Sequence, residues 1–300
     1  MEKIRKEKQK MDREEQKIKR KSALFLAPSM LGVAIFFLLP FLVVIFYAVV
    51  NNPIQHKFVF LKNFISVLEN SAFRLAAANT FKFSVVAVPL VVILSMALAF
   101  ALDAAIPFKS QIRTLLLSPM MVPIASVVLI WQVLFHYNGV VNEFMLHFGG
   151  EQIDWFKSAQ AQIVLVLLFL WKNLGYNMIL FMAAISNIPK EIIEVAELES
   201  AKRWQIFLYI KTRYLSSTIL FVTILSIINS FKVFREVYML TGEYPYDSLY
   251  LLQHFMNNTF NSLDYQKLSA AAILMSLVMI VLIGLLFLVE GYFGKDLEEA

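Results

Sequence analysis

The chain has 300 residues, of which 59% are hydrophobic and 16% charged, with a mean hydropathy of +0.66. That leaves too little polar surface for a water-soluble globule of this length, so lipid has to cover the remainder. The net charge is +5, and the absence of cysteine excludes disulfides and thiolate metal sites.

Residues 1–22 form a basic tail in which ten Lys or Arg are mixed with five acids and no apolar stripe. It reads as a solvated segment that orients the next span and touches anionic lipid, with nucleic-acid binding the much poorer reading. A hydrocarbon core about 30 Å thick needs about 20 apolar helical residues. Six runs of that size follow, at about 23–50, 83–102, 114–135, 161–188, 214–231 and 268–289, and the only Lys, Arg, Asp or Glu inside any of them is Lys172. The first is too long for a signal-peptide core and lacks a small-residue cleavage site, so it is expected to remain as an anchor. Pro28, Pro40, Pro89, Pro119 and Pro123 lie within runs, and the last two put kinks in the third. The expected fold is therefore all-α, a polytopic membrane protein of six helices. Eighteen of the 27 basic residues fall in the 1–22 tail, the 103–113 turn, the 187–215 loop and the 290–300 tail, which places both termini in the cytoplasm.

The loop at 188–215 is not an ordinary linker. Pro189 suits a first helical turn, Glu191 and Glu194 follow where the helix dipole favours negative charge, and Ile192, Val195 and Ala196 fall on one face. After Ser200 a second stretch sets Trp204, Phe207 and Leu208 at i, i+3, i+4 among Lys202, Arg203, Lys211 and Arg213. Two such short helices make either a knob for a cleft in a cytoplasmic partner or a pair lying flat on lipid.

This segment resembles the EAA loop of permease subunits of ATP-binding cassette importers. Ile188-Pro189, then Glu194-Val195-Ala196 at the Glu-Ala-Ala, Glu199-Ser200-Ala201 at the Asp-Gly-Ala, and Trp204, Phe207, Ile210 and Leu215 all stand at the family's offsets. Val195, Ser200 and Tyr214 depart from it, replacing Ala, Gly and Pro; a left-handed turn would make Ser200 about 1 kcal/mol costlier than Gly. Ala27-Pro28, Leu39-Pro40, Asn79-Thr80, Gly139-Val-Val-Asn142, Trp155 and Ser230-Phe-Lys-Val-Phe234 extend the resemblance toward the carbohydrate-type subset, and Glu243-Tyr244-Pro245 departs from its Gly-Gly-Pro.

The resemblance implies a pore-forming half in a bacterial cell membrane. It would pair with a second homologous permease, dock on an ATP-binding cassette ATPase dimer, and receive sugar from an extracytoplasmic binding protein. ATP and Mg would be used by that ATPase, since this chain has no Gly-x-x-x-x-Gly-Lys-Ser/Thr loop, binds no cofactor of its own and shows no catalytic constellation. Pro189, Glu194, Val195, Ala196, Glu199, Ser200, Ala201, Trp204 and Phe207 would then be the coupling residues. Glu194 would pair with a basic residue of the ATPase, or else be only a favourable first-turn acid; Trp204 with Phe207 would transmit motion. Rival readings are the same role for a non-sugar solute, such as a polyamine or glycerol phosphate, and a secondary transporter.

A substrate path is expected where polar side chains enter apolar spans, because such groups are expensive against lipid. Candidates are Trp131 and Gln132 in the third span, Trp171, Lys172, Asn173, Tyr176 and Asn177 in the fourth, and Ser226, Asn229, Ser230 and Val233 in or beside the fifth. Their amides, hydroxyls and rings suit sugar, and equally suit helix–helix adhesion. Lys172 calls for an acidic sugar, an internal carboxylate or snorkelling. His56, His136, His147 and His254 show no metal-ligand spacing and read as surface or boundary residues.

Overall fold

The computed structural model describes residues 19, 21–103 and 107–298, with side chains as far as Gly291. Most of the basic tail, Ala104–Ile106 of the turn after the second run, and the last residues of the C-terminal tail lie outside the described residues. Those described are almost wholly helical, and the only β pairing among them is an isolated bridge between Val50 and Phe58.

In chain order the helices are α1 (Lys21–Val49), α2 (Lys62–Glu69), α3 (Ser71–Asp103), α4 (Lys109–Met121), α5 (Ile124–Leu134), α6 (Val140–His147), α7 (Ala161–Ser186) and α8 (Lys190–Leu198). They continue as α9 (203–214), α10 (Ser216–Thr241), α11 (Leu252–Asn261) and α12 (Tyr265–Glu298). Five of these, α1, α3, α7, α10 and α12, are long and apolar enough to cross a membrane.

The expected third span is instead a broken pair, α4 and α5, bent by 101°. Pro123 has no N–H to continue the ladder and holds ψ at 140°, while Val122, restricted by the ring that follows it, is extended at φ −78° and ψ 129°. A milder response to proline occurs in α1, where the backbone widens into a π-turn over Ala34–Leu38 just ahead of Pro40.

The uncharged runs also understate the helices. The run expected at 83–102 begins twelve residues inside α3, whose 33 residues make about 50 Å of helix. The run expected to end at Phe231 continues to Thr241, so Lys232, Arg235 and Glu236 sit on α10 rather than beyond it. A charge marks the edge of an apolar run without ending the helix: Glu236 finds Lys172 of α7 as its partner, and Lys232 and Arg235 line a cleft.

The chain divides into two compact units. The first takes in residues 1–67 and 264–274. There the end of α1 is tied off by Asn63, whose Nδ2 donates to the carbonyls of Ala48 (2.9 Å) and Val50 (2.8 Å), and Asn51 Oδ1 accepts from the backbone N–H of Asn52 and Lys57.

The second unit, residues 68–263 and 275–300, holds the main core. Here α3 packs on α7 through Phe83, Ala87, Val91 and Ala99 against Val164, Leu168, Phe169 and Phe181, with Phe83 and Phe169 edge to face at 5.5 Å. Helix association in lipid relies on close packing and polar contacts rather than on release of water. Both are present. A Cβ added to Gly175 of α7 would stand 1.9 Å from the Leu116 carbonyl oxygen of α4, so only glycine permits that approach. Ser84 and Ser230 join α3 to α10 at 2.9 Å, and Asn177 Nδ2 donates to Ser226 Oγ across α7 and α10 at 2.9 Å.

Candidate functional site: an interior cleft and an exposed helical knob

The knob is built from α8 and α9. Pro189 precedes α8 with φ −59° and ψ 127°, and Glu191 lies in the first turn. The helix ends in a Schellman motif: Ser200 N–H donates to Glu197 O (3.0 Å), Ala201 N–H to Ala196 O (2.9 Å), and Ser200 takes a left-handed φ of +62°. The residue at the family's glycine position therefore adopts the conformation that glycine favours. Of Ile192, Val195 and Ala196 only Ala196 is buried. Val195 turns outward, and Leu198 is 85% exposed.

In α9 the spacing expected for Trp204, Phe207 and Leu208 is altered by a π-turn over Ile206–Lys211, and Thr212 Oγ1 satisfies the Phe207 carbonyl at 2.8 Å. Phe207 and Trp204 consequently part. Phe207 packs edge to face on Phe100 of α3 at 5.0 Å, with Lys211 Nζ over the same ring, whereas Trp204 is 56% exposed. Glu194 and Glu199 are exposed, and Ala201 is half-buried. The knob is thus anchored to the helix bundle through one ring and leaves an acid and an apolar set, Val195, Leu198, Trp204 and Leu208, facing outward.

The cleft, about 350 Å³, opens between α4, α5, α7 and α10. Lys172, Asn173, Tyr176, Asn229 and Val233 line it together, with Met120, Lys232, Arg235 and Glu236. Lys172 meets an internal carboxylate, pairing with Oε1 of Glu236, whose side chain is 4% exposed. Asn229 Nδ2 donates to Asn173 Oδ1 at 3.1 Å. The remaining path candidates lie elsewhere. Asn177, Ser226 and Ser230 are buried in the helix-joining bonds given above. Trp131 is buried, stacked on Phe135 at 5.0 Å and 6.2 Å from Trp171. Gln132 lines two other hollows, bounded by His136 and by Tyr244 and Glu143 respectively.

Sequence reasoning missed Arg235, Glu236, Ser84 and Gly175. An apolar run that ends at Phe231 leaves both charges beyond the expected span; a positively charged Lys172 is the available signal that a carboxylate has to be found. Nothing local marks Gly175, since the feature that requires it belongs to another helix.

Away from the cleft, two asparagines clamp backbone. Asn142, fully buried, donates from Nδ2 to the carbonyls of Tyr137 and Ile153 (both 2.8 Å) and accepts at Oδ1 from Ile153 N–H and Trp155 Nε1. Asn79 of α3 donates to the carbonyls of Asp247 and Tyr250, and Thr80 Oγ1 accepts from Leu252 N–H at 2.8 Å, which seats the chain before α11. His254 departs from the surface reading. It is 0% exposed among Phe234, Tyr238 and Tyr250, its Nδ1 accepts from Leu251 N–H, and burial lowers its pKa from 6.5 to about 4. His56, His136 and His147 are exposed as expected.

Known proteins resemble this chain in both sequence and fold. The chain is 27% identical over 281 residues to the lactose transport system permease protein LacF of Rhizobium radiobacter, covering 91% of this chain and 93% of that one. It is 28% identical over 216 residues to the arabinooligosaccharides transport system permease protein AraP of Halalkalibacterium halodurans, covering 68% of each. Its fold matches that of a bacterial ABC transporter involved in the import of the acidic polysaccharide alginate, with a TM-score of 0.79 over 93% of this chain and 98% of the other at 19% identity, a likeness of fold alone. Residues 92–299 match the binding-protein-dependent transport system inner membrane component family, and the chain belongs to it.

Proposed function

We propose that this chain is the saccharide-conducting permease subunit of an ATP-driven importer, which works beside a second permease and takes its energy from a separate ATPase. The observation that carries this reading is the form of the knob. One face, through Phe207 and Phe100, is fixed to α3, and the other presents Glu194, Leu198 and Trp204 to a partner. An element built that way passes a partner's displacement to the core helix it is anchored on, as a lever must.

The cleft lies on α7 and α10, which pack against that same helix α3. ATP-driven closure of the partner would shift α3 through Phe100 and so change the opening between α7 and α10, along which Asn173, Tyr176 and Asn229 offer hydrogen bonds to sugar hydroxyls. The Lys172–Glu236 pair joins α7 to α10 at this point and gives the two helices a preferred register. Saccharide as the cargo is supported by the transport systems named for the relatives above and by Asn173, Asn229 and Tyr176 in the lining of the cleft.

The test is uptake of labelled saccharides by cells in which the gene is deleted and then restored. Deletion should remove uptake of at least one sugar. Restoration with Glu194→Lys should leave the protein in the membrane at normal level yet fail to recover uptake. Full recovery by that variant would refute the lever.

A further inference from the structure

The cleft carries more positive than negative charge. Lys172, Lys232 and Arg235 line it against one carboxylate, Glu236. Lys172 and Glu236 neutralise each other. Lys232 and Arg235 stand three residues apart on α10, both exposed, and among the described residues neither side chain has a hydrogen bond or ion pair. Two cations held on a helix this apolar are stabilised more by an anion entering the cleft than by a neutral solute, which offers them hydrogen bonds but no opposite charge. Arg235 adds a planar fork suited to two parallel hydrogen bonds to a carboxylate or sulfonate.

Beside them lie groups that bind sugar hydroxyls. Asn229 spends one amide N–H on Asn173 and keeps the other with Oδ1, and Tyr176 brings a phenol and an aromatic face. Glu236 Oε2 is buried without a donor.

We propose that the cleft selects a saccharide bearing a carboxylate or sulfonate, its anion held by Lys232 and Arg235 and its hydroxyls by Asn229 and Tyr176. This deepens, and rests on, the reading of the chain as a saccharide permease. A phospholipid phosphate would meet the same two cations, so the experiment has to separate the two sources of anion.

The native chain contains no cysteine, so a single Met120→Cys or Leu225→Cys gives a thiol on the cleft wall of the full-length protein in phosphatidylcholine nanodiscs. With each rate divided by that reagent's rate with free 2-mercaptoethanol, labelling by a sulfonatoethyl methanethiosulfonate should outpace labelling by its trimethylammonioethyl counterpart by about tenfold, the factor that reversing a unit charge about 10 Å from two cations gives in a water-filled cleft. Lys232→Gln with Arg235→Gln should remove most of that preference, and Lys232→Arg with Arg235→Lys should retain it. Digalacturonate at millimolar concentration should slow labelling at least threefold, and its dimethyl ester should not. Equal or faster labelling by the cationic reagent, or equal protection by the ester, overturns the proposal. So does loss of the preference in phosphatidylglycerol nanodiscs with no protection by digalacturonate, which would make the pair a lipid site. Labelling requires no partner and no transport, so failure here leaves the permease reading to be judged by the uptake assay.

Discussion

Replacing Gly175 by alanine tests the close approach of α4 and α7 directly. The new Cβ would lie 1.9 Å from Leu116 O and 2.5 Å from Leu116 C. Relief to a carbon–oxygen contact of roughly 3.3 Å requires the helices to part by about 1.4 Å. A gap of that size forfeits half or more of each contact energy along the seam, and the obstacle is backbone, which cannot rotate away. Overpacking of this kind costs about 3 kcal/mol, offset by about 1 kcal/mol from the higher helix propensity of alanine, which leaves a loss of about 2 kcal/mol. Gly32 and Gly284 are internal controls, because nothing lies within 4 Å of a Cβ at either position. Thermal unfolding of the purified chain in detergent, followed by tryptophan fluorescence, should show Gly175→Ala melting several degrees below the native chain, with Gly284→Ala unchanged or slightly more stable. Identical melting of the two variants would refute the reasoning. Since Lys172 and Tyr176 flank Gly175 on the cleft, the variant should also impair uptake.

Three further outcomes follow from the geometry. Ser200→Gly relieves a left-handed residue and should stabilise the end of α8 by about 1 kcal/mol, seen as slower amide exchange at Ser200 and Ala201, while Ser200→Val should speed it. Asn142→Ala strands two carbonyls, an N–H and the Trp155 indole, so its melting temperature should fall well below that of Asn138→Ala at the exposed neighbouring turn. His254 has a folded pKa of about 4 against 6.5 unfolded, so in that window the unfolded chain binds more protons and stability falls as pH falls from 6.5 toward 4. Between pH 7.5 and pH 5 the loss is about 2 kcal/mol, measured as a drop in melting temperature that His254→Gln should flatten.

How much of this could be read from the sequence depended on whether a feature is local. The helical class and the membrane setting follow from composition and run length. The two short helices of the knob were legible because their signals are written within a few consecutive residues, whereas a left-handed Ser200 entered only as a condition suggested by the family's glycine. Its internal spacing was not, since the π-turn at Ile206–Lys211 breaks the i, i+3, i+4 rule that paired Trp204 with Phe207. The break at Pro123 was signalled by proline, but its 101° size depends on Val122 also leaving the helix.

In the cleft, Lys172, Asn173, Tyr176 and Asn229 could be nominated by polarity alone, as could Asn177, Ser226 and Ser230, which instead join helices. Polarity cannot separate these roles, because an amide that faces a neighbouring helix and one that faces a cavity look the same along a 3.6-residue repeat. Glu236 is hidden for a related reason: an apolar run that ends at Phe231 puts it beyond the expected span, and the lysine that requires it is 64 residues away.

The central claim is that a partner ATPase drives solute through this chain. It is tested most directly by purifying the complex on a tag carried by this chain, reconstituting it with its binding protein in proteoliposomes, and measuring saccharide uptake with ATP and with a non-hydrolysable analogue. The account predicts accumulation only with ATP, and none when Glu194→Lys uncouples the knob. Equal saccharide flux through the chain reconstituted alone, without nucleotide, would contradict it.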